Sequence, residues 1–145
     1  MEQVIETDEL RGKSLLFAAW LIALLGVAGS LFFSEVMQYP PCVLCWYQRI
    51  ALYPLVLTIG AGIAFGDRRV VRYSLPLAVA GLIIAVYHNL LYYAVIPEGI
   101  TPCTEGVPCN AVQIELLGFI TIPLMALVGF TGVTACLLGF SHRNK

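Results

Sequence analysis

The fold is decided by residues 40–65, which read PPCVLCWYQRIALYPLVLTIGAGIAF. Proline is favoured in the first turn of a helix, where its missing N–H would be unpaired anyway, so the stretch predicts a helix from near Pro41 to Phe65. The run is long enough to cross the hydrocarbon core of a bilayer, which takes about 20 residues. A CxxC pair, Cys42 and Cys45, therefore lies in the first turns of a predicted membrane-spanning helix.

The position of these two cysteines at a helix start favours their ionised form. Unpaired N–H groups and the positive end of the helix dipole favour a thiolate over a thiol, and the thiolate is the form that attacks disulfides. Steps of three and four residues put Arg49 on the same helical face as both cysteines, and a further step of four adds Tyr53. This face is predicted to carry two thiols, a cation and a phenol, which indicates a redox site at the membrane boundary.

The composition is that of an integral membrane protein. Of the 145 residues, 59% are hydrophobic and 12% are charged, and the mean hydropathy is +0.86. A soluble globular domain is excluded, because such domains have about 25% charged residues. The apolar segments predict an all-α bundle of four transmembrane helices that forms a single domain, 1–145, with spans at approximately 14–33, 42–65, 73–95 and 117–140. The first segment is longer than a signal-peptide core of roughly 7 to 15 residues, so a retained span is expected, with a cleavable signal ending near residue 30 as the alternative.

The basic residues predict the orientation. Of the 8 Lys and Arg residues, seven flank span ends that lie on one side of the membrane: Arg11, Lys13, Arg68, Arg69, Arg72, Arg143 and Lys145. Only Arg49 is near the other side. By the positive-inside rule, both termini and the basic turn 66–72 are expected to be cytoplasmic. The protein is therefore expected in the cell membrane, with two outward-facing cysteine segments on the extracytoplasmic, oxidising side.

A second cysteine pair, Cys103 and Cys109, lies in the turn-rich segment 97–110. Because both pairs are expected on the same side, a mobile loop pair could deliver electrons to the helix-end pair by thiol–disulfide exchange. Two alternatives remain open. The chain could be a structural or partner-binding four-span protein whose cysteines form two permanent disulfides, or the four cysteines could form a zinc site, although the second pair is spaced more widely than the two to four intervening residues that are usual for zinc. The fifth cysteine, Cys136, is expected to be a small apolar packing residue, and no metal is expected.

Two polar side chains are expected inside the membrane near its outer face. A buried Arg49 costs a few kcal/mol at full depth, which marks function or an anionic partner, with snorkelling to the interface as the alternative. His88 is expected about 12 Å below the outer end of the third span. Together with Asn89 and Tyr92, these side chains are predicted to line a polar niche for a quinone head group; a structural interhelical hydrogen bond is the alternative for His88.

The chain resembles the four-span disulfide bond formation proteins of the DsbB type and, among them, the short Gram-positive members called BdbC. The resemblance rests on PCVLCWYQR at 41–49, the later pair Cys103 and Cys109, and GFITIP at 118–123. It covers nearly the whole chain after the polar amino-terminal tail. The vitamin K epoxide reductases share a four-helix core, but their loop cysteines precede the CxxC pair, whereas here the CxxC pair comes first.

The resemblance implies a quinone-dependent oxidase that regenerates an extracytoplasmic thioredoxin-fold thiol oxidase of the DsbA type, with menaquinone or ubiquinone as the electron acceptor. Cys103 would form the mixed disulfide with that partner, and Cys109 would then attack Cys42. Cys45 would be released as a thiolate and engage the quinone, which Arg49 would hold.

Two features depart from the family pattern. The proteobacterial members carry Glu before the motif arginine, where this chain has Gln48, so the resemblance implies no acid role at that position. The second outward loop is also much shorter than theirs, so a long loop that the partner displaces is not implied.

Overall fold

The computed structural model describes residues 2–97, 106–110 and 118–143, with side chains from Leu10 onward. Cys103 and the segment 111–117 lie outside the described residues.

The described residues form four long helices. Helix α1 spans Glu2–Leu31 and continues into a π-helical turn, Phe32–Val36, while α2 spans Val43–Phe65, α3 Val70–Tyr92 and α4 Ile122–Arg143. All four are long and apolar enough to cross a membrane, the first over Leu10–Val36. The predicted all-α architecture with four membrane-spanning helices is confirmed.

The helix ends differ from the predicted spans where polar residues join a helix. Helix α1 already includes residues 2–13, which the sequence suggested as a polar tail, and α3 starts at Val70 rather than at residue 73. Hydropathy identifies the apolar part of a helix that lies within the bilayer, so it underestimates the length of a helix whose polar end extends beyond the bilayer. Helix α2 ends at Gly66, whose φ of 62° is the left-handed conformation that glycine adopts without steric cost.

The helices pack in a ring in chain order, with α4 closing against α1. Leu55 and Ile59 of α2 and Val133 and Leu137 of α4 have no exposed surface and lie in the core. Helices α3 and α4 approach closely at Gly81, because a Cβ there would overlap the ring of Phe130. Small residues allow such close backbone contact, which is a main source of helix association in a bilayer.

Side-chain hydrogen bonds also join neighbouring helices. Trp20 Nε1 of α1 donates to the Val56 carbonyl oxygen of α2 at 3.1 Å, and Ser74 Oγ of α3 donates to Thr58 Oγ1 of α2 at 3.1 Å. Since such bonds are worth about 0.6–2 kcal/mol in membranes, they help to fix α2 between α1 and α3. Both bonds lie in the second half of α2, away from its amino-terminal start.

Candidate active site

The cysteine pair forms the start of α2. Cys42 is the N-cap residue, in an extended conformation with φ −72° and ψ 171°, and its sulfur accepts a hydrogen bond from the backbone N–H of Cys45 at 3.4 Å. The sulfur occupies the position in which a serine or aspartate oxygen usually caps a helix. The two sulfur atoms lie 3.0 Å apart, and both cysteines are free. The structure therefore holds a reduced pair at the positive end of the helix dipole.

Cys42 precedes the membrane-spanning part of α2, and its pKa lies well below that of an ordinary thiol. The main cause is the hydrogen bond that its sulfur shares with Cys45; burial opposes this effect, and His88 adds to it. Cys42 is accordingly the sulfur that carries the negative charge in the reduced pair. A sulfur with a lowered pKa is also a good leaving group in thiol–disulfide exchange.

His88 connects Cys42 to the second cysteine segment. Its side chain is 2% exposed on α3, and Nε2 lies 3.8 Å from Cys42 Sγ and 3.1 Å from the carbonyl oxygen of Cys109. Because a carbonyl can only accept, Nε2 carries the hydrogen and donates it to Cys109. The other ring nitrogen, Nδ1, is buried without a partner among the described residues.

Cys109 lies next to the start of α2. It is 4% exposed, it is disulfide-bonded, and it packs in one cluster with Cys42, Leu44 and Leu91. The structure therefore brings together three predicted site residues, Cys42, Cys109 and His88; the fourth cysteine of the predicted set, Cys103, is outside the described residues.

Three atoms at this position are close enough to hold a metal ion. The two sulfurs of Cys42 and Cys45 and a ring nitrogen of His88 lie within 4.8 Å of one another. The Nε2 atom already donates to Cys109, so ligation through it would require the loss of that hydrogen bond. This cost makes the arrangement a poorer fit for zinc than for thiol exchange.

Arg49 is fixed within the bundle on the other side of α2. It is 9% exposed, its Nε donates to Ser30 Oγ at 2.8 Å, and Nη2 donates to the Ser30 carbonyl oxygen at 2.8 Å. The guanidinium also lies 5.2 Å from the centre of the Trp46 ring, a favourable cation–π contact. Sequence reasoning missed Ser30, although a polar residue late in the first span is the sort of partner that a buried cation needs.

A cavity of about 190 Å³ opens between α1, α2 and α4 beside Arg49. Its lining is mostly apolar, and α2 contributes three polar side chains, Cys45, Gln48 and Arg49. Gln48 is 6% exposed, and its Nε2 has no hydrogen-bond partner among the described residues. An apolar cavity with a few buried donors is typical of a site for a mostly apolar ligand with polar atoms at defined positions.

His88 does not line this cavity, although the sequence placed it in one niche with Arg49, Asn89 and Tyr92. Asn89 instead donates through Nδ2 to the carbonyl oxygens of Ala85 and Pro123, each at 2.8 Å. His88 and Arg49 are separated because they contact different sides of α2. Arg49 extends from α2 toward α1, whereas His88 contacts the start of α2 from α3. Equal depth in the membrane does not place two side chains on the same side of a helix.

Comparison with known proteins shows the family of this chain. The family model described as "Disulfide bond formation protein DsbB" matches residues 12–140. "Disulfide bond formation protein C" of Bacillus subtilis is 49% identical over 115 residues, which cover 79% of this chain and 83% of that protein.

Other relatives match at a similar level. "Probable disulfide formation protein C 1" of Bacillus anthracis is 41% identical over 128 residues, or 88% of this chain and 92% of the relative. "Probable disulfide formation protein" of Metapseudomonas resinovorans is 40% identical over 132 residues, which cover 90% of this chain and 92% of that protein. No solved structure matches the chain significantly. With its four helices that can span a membrane and its free cysteine pair, the chain belongs to the DsbB family of disulfide bond formation proteins and is similar to its BdbC members.

Proposed function

We propose that this protein is a membrane thiol:quinone oxidoreductase. It oxidises a reduced thioredoxin-fold thiol oxidase of the DsbA type at the outer face of the cell membrane and passes the electrons to menaquinone or ubiquinone. One observation carries the proposal: the CxxC pair has two different surroundings. Cys42 lies in the buried cluster that contains the disulfide-bonded Cys109 and does not line the cavity, whereas Cys45 packs at the edge of that cluster and also lines the apolar cavity beside Arg49.

The thiol side of the reaction is a pair of exchanges. The partner's two thiols reduce a Cys103–Cys109 disulfide, and the partner leaves with a disulfide of its own. The Cys109 thiolate then attacks Cys42 in an oxidised Cys42–Cys45 pair, so that one S–S bond forms as another breaks and Cys45 is released. Attack by Cys103 on Cys109 restores the loop disulfide and releases Cys42, so two electrons and two protons end on the CxxC pair. The lowered pKa of Cys42 supports its role as the leaving group.

The cavity residues fit a quinone. A quinone has an apolar ring with two carbonyl oxygens, and when bound it supplies an acceptor for two electrons and two protons. Gln48 offers a buried amide N–H that has no partner among the described residues, and Arg49 offers a guanidinium whose bonds to Ser30 leave Nη1 for a ligand. Cys45 also lines this cavity, so it lies beside the ligand that these donors would hold.

Purified protein tests the proposal directly. With a quinone analogue and a reduced DsbA-like protein, we expect the quinone to be reduced as the protein substrate is oxidised. Cys45→Ser should abolish quinone reduction, and Cys109→Ser should stop oxidation of the protein substrate while the CxxC pair remains oxidisable by quinone. Cys136→Ser is the matched control, since Cys136 packs against the bundle core, and it should behave as wild type. Normal turnover of the protein substrate by Cys109→Ser would rule out the two-pair relay.

Two simpler roles for the cysteines are separated by cheap measurements. Structural disulfides should resist mild reduction, whereas a catalytic CxxC pair should titrate at a less negative potential when thiols are alkylated in graded redox buffers. A zinc site would show stoichiometric metal in the purified protein.

A further inference from the structure

We propose that His88 is a positioning residue for the exchange between Cys109 and Cys42, in which its Nε2–H holds the Cys109 backbone beside Cys42 and stabilises the Cys42 sulfur as it leaves. This inference rests on the proposed relay and gives a function to a side chain that lies away from the quinone cavity.

One hydrogen-bond donor serves both partners of the exchange. Nε2 lies 3.1 Å from the Cys109 carbonyl oxygen and 3.8 Å from Cys42 Sγ, and the two acceptors belong to the two segments that must meet. His88 is 2% exposed and both cysteines are also buried, so bulk water does not compete for this donor. A buried bond of this kind fixes the relative position of the segments more firmly than one at the surface.

The position of the hydrogen defines what His88 can do. The Cys109 carbonyl requires a hydrogen on Nε2, and Nδ1 has no acceptor among the described residues. The neutral ring with its hydrogen on Nε2 satisfies both conditions. In this form Nε2 cannot take a proton from the attacking thiol, so His88 acts on the exchange as a donor and not as a base.

The contact with Cys42 gains strength during the reaction. While Cys42 is bonded to another sulfur, it is a weak, uncharged acceptor. When Cys103 attacks Cys109 in the second exchange, the Cys42–Cys109 bond breaks and Cys42 leaves as a thiolate; its contact with Nε2–H then becomes charge-assisted, and such bonds are roughly twice as strong as neutral ones. An interaction that grows as the bond breaks accelerates the step, whereas a constant one only improves docking.

The release of Cys42 can be followed as a single step. In a Cys45→Ser background the Cys42–Cys109 disulfide is prepared at acid pH, where Cys103 stays a thiol; after a jump to neutral pH the Cys103 thiolate attacks Cys109, so that the Cys103–Cys109 disulfide forms and Cys42 leaves as a thiolate. Acid quenching, alkylation and peptide mapping give the rate of this release, which is the trapping rate compared below. His88→Gln, whose amide N–H can take the place of Nε2–H, should react within about threefold of the parent, whereas His88→Leu should be about 10- to 100-fold slower, as expected for loss of a hydrogen bond to a charged group.

A second readout keeps this test separate from that of the proposed function. Dithiothreitol reduces the CxxC pair without the loop, so quinone reduction driven by this dithiol reports the cavity alone and should have the same quinone KM in His88→Leu as in wild type. If the wild-type protein fails to reduce quinone in this assay, the proposed function fails, while the trapping rates still decide the role of His88.

Three results would overturn the inference. Equal trapping rates in His88→Leu and the parent would show that the donor is not needed, and equally slow rates in His88→Gln and His88→Leu would show that an N–H at this position is insufficient. A raised quinone KM in His88→Leu together with an unchanged trapping rate would show that His88 acts at the quinone site, as the sequence suggested. If His88→Leu does not fold, His88→Asn replaces it, because the shorter amide cannot reach both acceptors and should be equally slow.

Discussion

Replacement of Arg49 by methionine should weaken the interaction with quinone far more than the interaction with the protein substrate. Methionine keeps much of the side-chain length and suits an apolar bundle, but it removes the cation and every N–H. Arg49 lines the cavity and uses Nε and Nη2 to bond Ser30, which leaves Nη1 for a ligand oxygen. A hydrogen bond from a charged donor is worth about 1.5–3 kcal/mol, which corresponds to a rise of about 10- to 150-fold in quinone KM.

Ser30→Ala is the matched variant for this experiment. It removes the Oγ acceptor of Arg49 but keeps the charge and the bond to the Ser30 carbonyl oxygen, so the guanidinium is loosened and not lost. We expect a smaller rise in quinone KM, about two- to tenfold, as for loss of an ordinary hydrogen bond.

Steady-state quinone reduction gives both KM values when the quinone and the reduced protein substrate are varied in turn, and thermal unfolding in detergent checks that each variant is folded. A KM that rises for the protein substrate and stays constant for quinone would show instead that Arg49 is a docking or topological residue.

Three further predictions follow from the same geometry. Gly129→Leu should raise quinone KM without lowering the unfolding midpoint, because a Cβ at this cavity-lining glycine meets no described atom within 4 Å; unchanged quinone binding, measured by titration, would place the ligand elsewhere. Gly81→Ala should destabilise the protein by about 1–3 kcal/mol through overlap with the buried Phe130 ring, and an unchanged thermal midpoint in detergent would contradict the close approach of α3 and α4. In the reduced protein, Cys42 should remain a thiolate well below the ordinary thiol pKa of about 8.5, so its rate of alkylation should stay nearly constant as the pH falls from about 8 to about 6. The pKa of Cys42 is lower in the folded protein than in the unfolded chain, so its thiolate stabilises the reduced protein at pH values above the unfolded pKa. This stabilisation is lost as the pH falls through the pKa of the folded protein. An alkylation rate that falls tenfold per pH unit between about 8 and about 6 would contradict a thiolate at Cys42.

The start of α2 was predictable because its signals are local. Proline before the first turn and a continuous apolar run are sufficient to place a CxxC pair at the mouth of a membrane-spanning helix, and the structure places Cys42 at the N-cap. The four-helix architecture was predictable for a similar reason, since composition and segment length alone limit a chain of 145 residues to such a bundle.

The partners of the site residues were not predictable, because helical periodicity says which residues share a face but not which helix lies opposite. Arg49 and His88 illustrate this limit: they were assigned to one niche by depth, yet Arg49 bonds to Ser30 of α1 and His88 bonds to Cys109. The same limit applies to Gln48, whose Nε2 has no partner within the described part of the chain and gains meaning only when α1 and α4 close a cavity around it. Sequence spacing supplied the reactive groups, and the packing of the bundle separated them into a thiol side and a cavity side.

In the proposed reaction, electrons from partner thiols reach a quinone through the two cysteine pairs. The most direct measurement is the stoichiometry under anaerobic conditions, with quinol followed by absorbance and partner disulfide by alkylation. We expect one quinol for each disulfide formed in the DsbA-like protein over many turnovers, whereas Cys45→Ser should form no quinol and at most one partner disulfide for each loop disulfide present at the start. Repeated oxidation of the partner without quinol formation, or quinol formation that persists in Cys45→Ser, would contradict the proposed reaction.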